Sequence, residues 1–271
     1  MATITSQPRV GPLLREWRRR RRRTQLDLAL EAGISARHLS FVETGRSTPS
    51  PETVLRLAEQ LGVPFRERNL LLLAAGHAPA FPQRSLDDPD MAPVREALEL
   101  ILTGHMPYPA VVFDRAWNLV TANSAVLPLI EGVDPALLVP PINVLRVGLH
   151  IAPRILNFGE AYAFIRERLE RQAAITGDAN LAALVEEFAG YPAPAPRHGR
   201  ASRSGADDIL GPVRMRAPNG GEWAFFGMFA TFDTPFEVTT SELAIELFFP
   251  ADAGTAAAFR DHRAKGRYAP P

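Results

Sequence analysis

Apolar positions in the first third of the chain recur at helical spacing and are cut into short segments by capping residues and glycines. Leu13, Leu14 and Trp17 form one such face, in a helix expected to start near Gly11 and Pro12 and to run into six consecutive arginines. Residues 24–45, TQLDLALEAGISARHLSFVETG, read as two short helices around a tight corner. Thr24 is placed to cap the first helix, with Asp27 closing a capping box three residues on. Leu26, Leu28, Ala29 and Ala32 supply its apolar stripe. Gly33 falls at the corner, where the backbone needs a positive φ that glycine tolerates best. Ile34 plugs the corner, Ser35 caps the second helix, Leu39 and Val42 return to the core, and Gly45 ends the motif. Ser50-Pro51 is an N-cap followed by proline at the first helical position; Val54, Leu55, Leu57, Ala58 and Leu61 then give a fourth apolar face, closed by Gly62. A fifth helix, FRERNLLLLAAG, starts after Pro64 and ends at Gly76.

Gln25, Ala29, Gly33 and Val42 stand four, four and nine residues apart, and Ala29 is small where the second helix of the pair crosses the first. With the flanking helices, this resembles the helix-turn-helix of phage-repressor and Xre-type regulators along its whole length. The resemblance implies an all-α, five-helix, lambda-repressor-like DNA-binding domain over residues 10–78, with the second helix of the motif in the major groove of a double-stranded operator. On that helix Ala36, Arg37, Ser40 and Phe41 are placed toward base edges, and Ser35 and His38 toward bases or backbone. Arg37 suits guanine O6 and N7; Ala36 or Phe41 suits a thymine methyl. Phe41 reads equally well as a half-buried core residue. Arg18, Arg19, Arg20, Arg21, Arg22 and Arg23 are expected on phosphates, as are Gln25 at a helix start and Arg46, Ser47 and Ser50 in the loop RSTPS. Such contacts position a protein without reading sequence.

Residues 77–93 are rich in proline and aspartate, and 79–91 are taken as a linker. Met91 to Thr103 follows as an amphipathic helix with Val94, Leu98, Ile101 and Leu102 on one side. At 110–130 the period shortens: AVVF and LVTAN read as strands around the turn DRAWN, then Asn123 or Ser124 caps a helix AVLPLI. Residues 142–190 read as helical, in segments over INVLRVGLHI, Ile155 to Ala174 and Asp178 to Ala189. Residues 191–208, rich in Pro, Gly and Ser, read as a loop. Three further strands follow: ILGPVRMRA, then EWAFFGMFATF after the turn PNGG, then SELAIELFF. The second of these is apolar on both faces, so it is expected to be covered on both sides or to line a cavity.

The strand, turn, strand, asparagine, helix order resembles the opening of PAS domains. The chain as a whole resembles helix-turn-helix regulators with an MmyB-like ligand-binding domain, from RHLSFVETGRSTPS and RNLLLLAAGHAP through NVLR to FDTPFEVTTSELAIELFFPAD. It departs from them in carrying the Pro-rich stretch 191–208 where they often have a tryptophan-containing segment. The resemblance implies an α+β PAS-like domain over 92–263, with about five antiparallel strands and an apolar pocket for a small lipophilic, fatty-acid-like ligand. Phe113, Trp117, Leu145, Leu149, Phe158, Tyr162, Phe226, Met228 and Phe248 are candidates for its wall, each also readable as plain core. Arg146, His150 and Arg154 recur at four-residue steps and are candidates for a ligand carboxylate, or else a solvated stripe.

Composition narrows this picture. The 271 residues are 46% hydrophobic, enough for two cores, and contain no cysteine, which removes disulfides and thiolate metal sites and accords with a reducing cytoplasm. No apolar run reaches the length of about 20 residues that spans a bilayer, and no hydrophobic signal segment opens the sequence. The net charge of zero is unevenly spread: residues 1–78 carry 13 arginines against seven acidic residues, and the remainder is acidic by the same margin. A basic part beside an acidic part points to a polyanion for the first alone. The six histidines show no metal-protease spacing, and no GxSxG, Walker or GxGxxG pattern occurs. The expectation is a cytoplasmic, homodimeric, DNA-binding transcriptional regulator without enzymatic activity or a resident cofactor. Its second domain takes a lipophilic ligand or, alternatively, docks a protein partner.

Overall fold

The computed structural model describes residues 9–194, 211–218, 220–233 and 235–264. The sequence leads one to expect disorder over residues 1–9 and a loop over 191–208; positions 1–8 and 195–208 of these lie outside the described residues. The chain divides into two compact units, one reaching to Arg84 together with Phe236–Val238, the other comprising Ser85–Pro235 and the residues from Thr239 onward.

The first unit packs five helices, α1 (Val10–Arg20), α2 (Gln25–Glu31), α3 (Ala36–Glu43), α4 (Pro51–Gln60) and α5 (Phe65–Ala74), around one core. Leu14, Leu28, Leu39, Val42, Val54, Leu57, Leu71 and Leu72 are all but sealed from solvent. Local chemistry sets the boundaries. Thr24 and Asp27 form the reciprocal capping box at α2. The hydroxyls of Ser35 and Ser50 accept from His38 N and Thr53 N at the starts of α3 and α4. Gly33, between α2 and α3, has φ +64°. Gly11 serves differently: α1 presses so close to the end of α3 that a Cβ there would stand 2.4 Å from the Val42 carbonyl oxygen. The stripe of α2 is narrower than the sequence pattern implies. Leu28 and Ala29 are buried, whereas Leu26 is 67% exposed, because two residues at about 100° each turn it to the far side of the helix.

The second unit is α+β. Its five-stranded antiparallel sheet has the order β2-β1-β5-β4-β3, with β1 (Ala110–Phe113), β2 (Leu119–Ala122), β3 (Val213–Arg216), β4 (Glu222–Ala230) and β5 (Ala244–Pro250). One face, through Ala110, Val112 and Ile245, packs on Leu98 and Leu102 of α6 (Ala92–Gly104). The other face, through Val111, Phe113, Phe229 and Ala244, meets α7 (Val144–His150), α8 (Phe158–Thr176) and α9 (Ala179–Ala189). Further along that face Trp223 and Phe225 receive Phe259 of α11 (Ala253–Ala264). A short helix, α10 (Val238–Glu242), precedes β5, so Glu242 is helical and does not begin the strand as its alternation implies. The expected helix over AVLPLI is a single 3-10 turn, Ser124–Val126. Asn123 spends its side chain elsewhere: its amide oxygen accepts from Ala110 N, and its amide nitrogen donates to the Leu102 and Tyr108 carbonyls, which pins the end of β2 to the loop leading into β1. Ile101, expected on the inner side of α6, is 37% exposed.

Candidate DNA interface and ligand site

The six arginines have different surroundings. Arg18 lies four residues beyond Leu14 on the inner side of α1 and donates to Glu43 from Nε (2.6 Å) and Nη2 (2.8 Å). Gln25 Nε2 reaches the same carboxylate at 2.8 Å, and Arg15 Nε lies at 3.4 Å. Burial alone pushes the Glu43 carboxyl up; hydrogen bonds from Arg18 and Gln25, the Arg18 charge and the bond from Arg15 outweigh it and hold the group below the ordinary carboxylate range. Arg18 and Gln25 are therefore engaged inside the domain. Arg21 lies across Trp17 and donates to the Leu61 and Gly62 carbonyls, closing the end of α4. Arg20 pairs with Glu16, and Arg23 with Glu31. The exposed side chains of Arg19 and Arg22 make no hydrogen bond or ion pair among the described residues.

On α3 the exposed Arg37 places its guanidinium 5.3 Å from the centre of the Phe41 ring, and Arg46, just past the helix, lies 5.9 Å from the same ring. Phe41 is half-buried, and its ring holds two cationic groups over it on the surface of the motif. Ala36 is packed against the core. Ser35 and Ser50 hold their helix starts, His38 is half-buried beside Ser35, and the Ser40 carbonyl accepts from Thr44 Oγ1. Ser47 N bonds to the Phe41 carbonyl, folding the loop back over α3. Of the cations singled out from the sequence, Arg19, Arg22, Arg37 and Arg46 are exposed and make no ion pair among the described residues.

In the second unit, Phe113, Trp117, Leu145 and Tyr162 share one cluster, with Leu149 and Phe158 packed against it. Trp117 stacks on Phe113 at 4.7 Å and holds φ +65°, a left-handed conformation unfavourable for a bulky residue. The turn imposes it: Asp114 accepts from Ala116 N and Asn118 N, and Trp117 Nε1 donates to Gln172 of α8. Phe226 and Met228 alternate with Phe229 and so face away from this cluster, and Phe248 belongs to the neighbouring cluster around Phe225. The three basic candidates do not converge. Arg146 pairs with Glu187 on the surface, His150 Nε2 accepts from Asp134 N, and Arg154 lies beyond the end of α7, donating to the Pro128, Leu129, Glu131 and Arg216 carbonyls.

The charged side chain that does meet the aromatic cluster is Arg168 of α8. Its guanidinium lies 3.6 Å from the centre of the Phe229 ring and 5.6 Å from that of Trp117. Sequence reading missed it. The signal was present, since Ile165, Arg168, Leu169 and Gln172 follow the i, i+3, i+4, i+7 rule of an inward stripe. Two polar residues on such a stripe mark a built polar site or an unusual core.

Comparison with known proteins accords with this architecture. The MmyB-like transcription regulator ligand binding domain matches residues 94–261, and the helix-turn-helix family matches residues 14–68. The chain is 38% identical over 115 residues to an uncharacterized HTH-type transcriptional regulator, RghRB, of Bacillus subtilis (strain 168), covering 42% of this chain and 74% of that protein. A solved RNA-binding Light-Oxygen-Voltage receptor aligns with 93% of this chain at 12% identity and a TM-score of 0.25; the chain spans 62% of its length, and so slight a likeness carries no argument.

Proposed function

The chain belongs to the MmyB-like transcription regulators, a ligand-binding domain preceded by a helix-turn-helix, and from that premise we propose a sequence-specific, ligand-responsive DNA-binding protein acting as a homodimer in the cytoplasm. The observation that carries the DNA half is the exposed Arg37 on α3, held over Phe41 beside Arg46. An arginine at the start of the second helix of this motif is positioned for the guanine edge in the major groove. Arg19, Arg22 and Arg46 supply phosphate contacts; Arg18, Arg21 and Gln25 support the frame. The ligand half rests on the aromatic cluster of Phe113, Trp117 and Phe229 beside a charged residue with unused donor capacity, the composition of a pocket for a small lipophilic molecule with one polar end, as in a fatty-acid-like chain. Ligand binding changes DNA affinity to the extent that it favours one arrangement of the two domains.

Fluorescence anisotropy with operator duplexes at several salt concentrations tests the DNA half. The Arg19→Ala/Arg22→Ala double variant is expected to weaken binding to all duplexes and to flatten the salt dependence, whereas Arg37→Ala narrows the gap between operator and random DNA. An unchanged salt slope in the double variant would remove the phosphate assignment. Native mass spectrometry followed by denaturing extraction tests the ligand half, with a stoichiometric small-molecule adduct as the supporting result.

A further inference from the structure

Glu246 stands on β5, the central strand, on the sheet face turned toward α8. It lies directly opposite Phe229 of β4, the ring on which Arg168 rests. Its carboxylate leans over the bare backbone of Gly227, where a Cβ would stand 3.1 Å from Oε1. Its other neighbours in register or on its own face, Val111, Ala244 and Phe248, are apolar, and the charged group acting on it is Arg168. Burial pushes the carboxyl up to about 7 against that pull. Glu246 nevertheless keeps some solvent-accessible surface, and Gly227 is exposed, so open space reaches a carboxyl otherwise surrounded by protein. Neither Glu246 nor Arg168 makes a hydrogen bond or ion pair among the described residues, and the buried Nε–H of Arg168 has no acceptor. Gln172 is already used on both sides, by Trp117 Nε1 and by the Arg115 carbonyl. A cleft of about 340 Å3 opens at Arg168, lined also by Gln172, by Arg171, which pairs with Glu167, and by the exposed apolar side chains of Phe164 and Ile175.

We propose that Arg168 and Glu246 together receive the polar end of the ligand, and that this end is a neutral group with an acceptor beside a donor, of the carboxamide class, on an apolar chain lying along Phe164 and Ile175. This rests on the reading of the second domain as a small-molecule site. Arg168 offers an N–H and needs an acceptor; ionised Glu246 offers only acceptors and needs a donor. A carboxamide satisfies both in one plane. A free carboxylate satisfies Arg168 but brings a second negative charge beside Glu246, which raises the cost of ionising either group. An ammonium has the converse conflict with Arg168.

Isothermal titration of the full chain with decanamide and with decanoate at pH 8 and pH 6 tests the assignment. The amide is expected to bind about tenfold or more tightly than the acid at pH 8 and to weaken toward pH 6 as Glu246 takes up a proton, while the acid gains over the same range. In Glu246→Gln the acid should approach the amide at both pH values, and Arg168→Gln should weaken the amide about tenfold. Equal binding of both probes by the wild-type protein at pH 8 would overturn the head-group assignment while leaving the small-molecule reading in place. An unchanged ratio in Glu246→Gln would do the same. Saturable binding of neither probe to the folded protein would overturn both. The wild-type pH comparison needs no variant, so a misfolded substitution does not remove the test.

Discussion

Arg18 grips Glu43 at two points, Nε to Oε1 and Nη2 to Oε2, tying the head of the arginine run to the end of α3. The Glu43 side chain has no exposed surface and that of Arg18 only 11%, so the pair is a structural joint of the first domain. Removing one partner of a buried pair strands the other charge, at a cost of about 3 kcal/mol. Urea unfolding of Arg18→Ala should show a loss on that order, while Arg19→Ala on the outer face should stay within about 0.5 kcal/mol of wild type. Equal effects of the two would deny the joint. Because the Glu43 carboxyl is held below its ordinary range in the folded protein, its stabilising contribution is present above the unfolded value and is lost as pH falls through the folded one. Glu43→Gln should remove that part of the acid sensitivity.

Gly11 permits the same joint to form. A methyl group there would meet the Val42 and Glu43 carbonyl oxygens at 2.4 and 2.8 Å, backbone atoms that move only if α1 or α3 moves. Gly11→Ala adds helix propensity and would be mildly stabilising at an open position. Here thermal unfolding is expected to show a loss of about 2 kcal/mol or more, since overpacking forces backbone shifts. A melting temperature at or above wild type would mean that the two helices are not in close contact.

How much of this was legible in the sequence follows from how local each signal is. The caps at Thr24, Ser35 and Ser50 and the turn at Gly33 depend on residues within three or four positions, and all are found where the pattern puts them. The arginine run was harder, since six identical residues carry no contrast. Only helical phase separates Arg18 and Arg21, four beyond Leu14 and Trp17, from Arg19 and Arg22. In the second domain the strands show in their alternation, but Phe229 and Glu246 belong beside α8 only through pairings across the sheet. Asn123 looks like a cap in sequence, and its real partners, up to 21 residues away, appear only in the fold.

Glu246 also makes a prediction about stability. Its folded value is raised to about 7 by burial, against an ordinary 4.5, so the folded state holds the proton longer than the unfolded one. Stability is therefore full below the unfolded value and falls as pH rises toward the folded one. Glu246→Gln should leave stability at pH 5 near wild type and raise it at pH 8 by on the order of 2 kcal/mol, allowing for the solvent that reaches the carboxyl. Chemical denaturation at the two pH values measures this, and the same difference at both would show that the carboxyl is not desolvated.

The most direct test of sequence-specific recognition is selection of bound duplexes from a random DNA library by the full chain and by Arg37→Ala. The wild-type protein should enrich one motif as two dyad-related half-sites, their centres about 34–36 Å apart along the helix. Arg37→Ala should enrich the same motif with the preference lost at one base pair in each half. An unenriched pool from the folded wild-type protein, or identical motifs from both proteins, would contradict the account.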